Sequence, residues 1–200
     1  MDRRMWKPLG IVAVALVVIG AGMVFTLSSQ AATAVPAPGT ICIKYATMGH
    51  IFTPVGTSNG LFAGTNGSIT AQVGQPITTP DGRSGFQFAV VDFNSRGNVS
   101  GLGDVSFSLD TSRRPEPSTF IANSASGEGG NTQRIQTYLN VDINGRRYRS
   151  AGQVTLLSTA VQAFPPPSGT VYDLATEVQL VDSTGRVAFE LPPGKAATIL

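Results

Sequence analysis

Residues 135 to 150 read IQTYLNVDINGRRYRS, and the pair Asn144-Gly145 near their centre decides the fold class. A two-residue type I′ turn needs positive φ at both central positions, which Asn followed by Gly tolerates best. Placing the turn there sets the register. Ile143 faces Arg146, Asp142 faces Arg147, Val141 faces Tyr148 and Asn140 faces Arg149. Side chains alternate across a strand, so Ile135, Leu139, Val141, Ile143 and Tyr148 share an apolar side and the opposite side is polar.

The same period of two recurs on either side of this hairpin. Val105, Phe107 and Leu109 alternate with Asp104, Ser106, Ser108 and Asp110. Phe86, Phe88 and Val90 do likewise, although Val91 and Phe93 make the other face partly apolar. A second hairpin brackets Asp182-Ser183-Thr184-Gly185, where pairing Val181 with Arg186 sets Leu180 against Val187 and Val178 against Phe189. A run from Gln153 to Phe164 stops at Pro165-Pro166-Pro167, which have no N–H to give a ladder. Beyond residue 40 no stretch keeps apolar residues at helical spacing. The pattern predicts one all-β domain over residues 40–200, an antiparallel, jelly-roll-like β-sandwich of about eight to ten strands.

Ahead of it, Arg3, Arg4 and Lys7 precede Leu9 to Leu27, LGIVAVALVVIGAGMVFTL, which carries no charge. A basic start followed by an apolar helix-length stretch is an export signal, by the general or the twin-arginine route. Ala32-Thr33-Ala34 supplies a small-x-small cleavage site, making residues 1–34 a signal peptide. The alternative is an uncleaved anchor, since roughly 20 helical residues span a bilayer. Residues 35–39 then form a short linker, and the body lies outside the cytoplasm, secreted or in the cell envelope. The general look is that of a bacterial exported protein.

The leader also carries the excess charge. It holds three basic residues and Asp2 of the chain's 14 basic and 12 acidic residues, which leaves 11 of each in the body. A neutral body lacks the positive field that nucleic acid requires, and nucleic acid is excluded as a partner. Contact with membrane is expected only through residues 9–27, if uncleaved. The single cysteine, Cys42, forms no internal disulfide and reads as a small buried hydrophobe of a strand.

Candidate chemistry is sparse. His50 is the only histidine, which excludes multi-histidine metal sites, and after Gly49 it reads as a partly exposed loop residue. The second hairpin's register puts Glu177 opposite Glu190, the facing carboxylates a retaining glycosidase uses, but without tryptophan in the body to line a sugar cleft. Asp92-Phe93-Asn94-Ser95-Arg96-Gly97 opens like a calcium loop with Asp92 and Asn94 as ligands. Arg96 takes an oxygen ligand's place and Gly103 the closing glutamate's, so a strand-ending turn is the better reading. No cofactor is implied.

These residues favour a non-catalytic exported β-domain that binds a protein or surface partner or has a structural role. The alternatives are a small secreted hydrolase using Glu177 and Glu190, or a small-ligand or lipid carrier, which would need an apolar cavity of roughly 300 Å³ or more. The leader yields the first test. Intact mass spectrometry of the exported protein is expected to show a chain beginning at Val35, whereas the full-length mass would assign residues 9–27 to an anchor.

Overall fold

Three long strands carry the architecture: β1 (Ile41–Pro54), β2 (Leu61–Thr78) and β3 (Ser84–Val99), paired antiparallel along their lengths. The computed structural model describes residues 36–200, so the leader lies outside the described residues. Ten shorter strands follow: β4 (Gly103–Leu109), β5 (Ser118–Ala122), β6 (Asn131–Thr137), β7 (Leu139–Ile143), β8 (Arg146–Ser150), β9 (Val154–Val161), β10 (Val171–Leu174), β11 (Val178–Val181), β12 (Val187–Leu191) and β13 (Gly194–Ile199).

All pairings are antiparallel, and no helix occurs among the described residues. The all-β class is as expected, but the strand count is 13 rather than eight to ten. In place of two sheets packed face to face, one hydrogen-bonded sheet closes on itself twice. The first ring runs β1-β2-β3-β4-β7-β8-β11-β12 and returns to β1. The second runs β3-β2-β1-β13-β10-β9-β6-β5 and returns to β3. The rings share β1, β2 and β3, and each has its own apolar core.

Around the first ring, Phe52 packs on Phe107 and Phe189 with ring centroids 6.0 and 6.1 Å apart, beside Val99, Val141 and Leu180. In the second, Phe86 stacks on Phe120 at 5.2 Å while Phe164 meets Phe86 edge-on at 4.9 Å. Buried polar groups other than His50 are paired within these walls. The Tyr172 hydroxyl donates to Oε1 of Gln133 at 2.6 Å, and Ser95 Oγ donates to Thr65 Oγ1 at 2.7 Å.

The shared strands change course between the rings. Thr70 faces Asp92 but Ala71 faces Val90, so Val91 is an extra, bulged residue. One extra residue reverses the alternation, which is why Phe86 and Phe88 face inward before the bulge and Phe93 and Ser95 after it. The apparent second apolar face of this strand is therefore the same interior, and Val91 itself is exposed. Nearby, β2 and β3 coil so tightly that a Cβ on Gly97 would strike the Gly64 carbonyl oxygen and the Thr65 Cα.

The first hairpin keeps its expected register at all four pairs, with Asn144 at φ 50° and Gly145 at φ 80°. The strand before it is not continuous. It breaks at Tyr138, where the chain leaves the second ring as β6 and enters the first as β7. Arg113 ties this crossing to its neighbours. Its guanidinium lies 4.1 Å from the centre of the Tyr138 ring, donates to the Ser150 and Ala151 carbonyls, and pairs with buried Asp110 at 2.8 Å. Fully buried Ser150 in turn accepts the Leu139 N–H through Oγ. Hydrogen bonds from Ser112 and Arg113 hold the Asp110 carboxyl below its ordinary range.

Arg113→Ala would leave the Asp110 carboxylate and the Ser150 carbonyl without this partner. Chemical denaturation is expected to show a loss of about 2–3 kcal/mol, with Arg113→Lys recovering only part because an ammonium cannot span the fork.

Candidate functional site

A strand has two hydrogen-bonding edges, and one edge of β1 must serve both rings. Ala46 to Met48 pair with Ile199 to Ala197 of β13, whereas Thr53 and Pro54 pair with Glu190 and Phe189 of β12. From Gly49 to Phe52 that edge has no ladder partner, while the other edge stays paired with β2 throughout. Pro192 and Pro193 bridge the gap between β12 and β13, and neither has an N–H to offer β1.

A surface groove of about 570 Å³ lies over this break, lined by Met48, His50, Phe62, Pro192, Pro193 and Lys195 among others. Behind it, a smaller and more enclosed apolar space of about 70 Å³ lies between the two cores, walled by Phe93, Leu139, Leu156 and Leu174. Met48, His50, Ala196 and Ala197 line both spaces. These residues form the partition between the groove and the interior.

His50 occupies that partition as part of a strand, not a loop. β1 runs on through Gly49, and the Phe62 ring of the adjacent strand lies over the position a side chain would take there. Inward-facing residues of β1 are the even ones, Ala46, Met48, His50 and Phe52. The His50 Nδ1 lies 3.4 Å from the Lys195 carbonyl oxygen. Nε2 is buried without a hydrogen-bond partner, the sole such side-chain atom among the described residues. Burial pushes the imidazole below its ordinary pKa, and the carbonyls of Lys195 and Pro192 oppose that shift.

The other sequence candidates lie elsewhere and do not converge. Glu190, half-buried on β12, faces Gln179, and exposed Glu177 lies ahead of β11. Two changes move the register by two residues from the expected one. Asp182 takes the Arg186 carbonyl as partner, so Val181 faces Val187, and Ala188 is then bulged out, so Leu180 faces Phe189. A shift of two preserves the faces, which is why Val178, Leu180 and Phe189 remain buried while the two carboxylates separate.

Asp92 and Asn94 sit on the exposed face in the middle of β3, opposite Thr70 and Ser68, not in a strand-ending turn. Among the described residues no three His, Cys, Asp or Glu side chains are grouped to hold a metal ion. Cys42 faces inward but is only partly buried, and burial raises its thiol pKa.

No protein-family model matches the chain, and no curated protein matches it significantly. Among solved structures it is similar to DynF from the dynemicin biosynthesis pathway of Micromonospora chersina, with a TM-score of 0.67. The two share 14% sequence identity over 84% of this chain and 82% of that one. At that identity the likeness establishes a shared fold.

His50 gives the site a pH signature. A histidine whose folded pKa is lowered binds fewer protons folded than unfolded, so its stabilising contribution is complete above about pH 6.5 and is lost as pH falls through that value. As the only histidine, it dominates titration between pH 5.5 and 7.5. The native protein is expected to melt at lower temperature at pH 5.5 than at 7.5, and His50→Gln to flatten that difference. An unchanged native melting temperature would mean that the ring is solvated.

Proposed function

We propose that this protein is an exported, non-catalytic binding domain that holds an apolar small molecule at the break in its wall. The observation that carries this reading is the groove over the unpaired stretch of β1, whose lining is mostly apolar and whose floor is His50. Its volume of about 570 Å³ lies within the range of small-molecule sites, roughly 300–1,000 Å³. The enclosed space of about 70 Å³ is well below that range, so the ligand lies mainly in the groove and not inside a closed cavity.

A surface of this kind binds because covering apolar atoms removes them from water, at about 25 cal/mol per Å². The titratable groups of the groove are His50 and Lys195, and among the described residues no metal-ligating cluster lies there. DynF serves a biosynthesis pathway, which is in line with handling a small molecule. Export follows from the reading of residues 1–34 as a leader.

Titration of the purified protein with N-phenylnaphthylamine, a dye that brightens in apolar surroundings, is expected to give saturable binding. Ala196→Phe fills the partition between groove and interior and should weaken that binding by about tenfold, equivalent to about 1.4 kcal/mol. Linear, non-saturating fluorescence would overturn the reading, as would equal binding by a folded Ala196→Phe protein.

A further inference from the structure

The unpaired nitrogen at the floor of the groove says something about the ligand's chemistry. His50 Nδ1 has one hydrogen-bond partner, the Lys195 carbonyl oxygen, which only accepts. That contact assigns the proton of the neutral ring to Nδ1. In the neutral ring Nε2 is then a bare lone pair, and it is buried without a donor. The Pro192 carbonyl also approaches the ring but, as an acceptor, cannot satisfy that lone pair.

On the interior side, water is a poor answer to this deficit. A buried water needs two to four polar partners. The enclosed space beside His50 is walled by Met48, Phe93, Leu139, Leu156 and similar groups, with Thr137 its one hydroxyl, already directed at the Tyr138 carbonyl. A hydroxyl carried on an apolar chain has no such requirement, because its own carbon atoms lie against the apolar lining of the groove.

Pro192 and Pro193 line the groove beside His50 and make no ladder bond to β1. Gly194, the next residue, sits at φ 137°, in the region that favours glycine and lets the chain turn there.

Building on the proposed binding role, we infer that the ligand is an uncharged amphiphile whose hydroxyl donates a hydrogen bond to His50 Nε2 while its chain lies against Met48, Phe62 and the two prolines. A carboxylate does not fit this position, since it can only accept.

Displacement of bound N-phenylnaphthylamine by 1-decanol, decyl methyl ether and decanoate separates these cases. The alcohol is expected to displace the dye at a concentration about three- to tenfold below that of the ether, the worth of one net hydrogen bond. Decanoate should do no better than the ether. In His50→Phe, which keeps a ring but removes the lone pair, alcohol and ether should become equal while the dye still binds.

Equal competition by alcohol and ether in the native protein would overturn the inference. So would a stronger effect of decanoate, failure of all three to compete, or an alcohol preference that survives in His50→Phe. Each of these leaves the binding role standing if the dye itself saturates. Absence of dye binding would instead remove that role. The alcohol-to-ether ratio of the native protein decides the matter even if the variant does not fold.

Discussion

A backbone group can complete only one ladder at a time, and the rest of this structure follows from that limit. Two closed rings share β1, β2 and β3, so the outer edges of the shared set must be divided. β1 gives one stretch to β13 and another to β12, and β3 gives Gly85 to Phe88 to β5 and Asn94 to Val99 to β4. Between these stretches lie two unpaired segments. One contains His50 and the other the Val91 bulge. The enclosed apolar space lies between them, with both His50 and Phe93 on its wall.

The division also sets the chain's route. It passes repeatedly from one ring to the other, between β4 and β5, at Tyr138, after Ser150, around Glu177 and through Pro192-Pro193. A crossing leaves backbone groups that neither ring can pair, so it needs partners from side chains. Arg113 and Ser150 supply them for three of the crossings at once. At Pro192-Pro193 the deficit is reduced by omission, because two N–H groups are simply absent.

These relations explain which features could be read from the residues alone. The register from Asn140 to Arg149 was legible because Asn144-Gly145 permits essentially one turn. The division of Ile135 to Ile143 into two strands was not, because no glycine or proline marks Tyr138 and its break is imposed by partners distant in sequence. The Val91 bulge did leave a trace in the lost alternation between Val90 and Phe93, but a bulge and a two-faced strand look alike without the neighbouring strands. An unbulged hairpin sets Glu177 opposite Glu190, and the shifted turn together with the bulge at Ala188 parts them. His50 reads as a loop residue because Gly49 resembles a terminator, whereas in the fold Gly49 lies within β1 beneath the Phe62 ring. The groove had one signal, the double proline, whose meaning appears only when β1 lies alongside.

Both rings close onto β1 through strands far along the chain: Thr53 meets Glu190, and Ala46 meets Ile199. A chain made or translocated from its amino terminus therefore holds β1 with one edge open until β12 and β13 have followed. Neither ring can seal early, and both closures join segments far apart in sequence, the kind of pairing that slows folding. Until then the edge of β1 from Ala46 to Pro54 stands without its ladder partners.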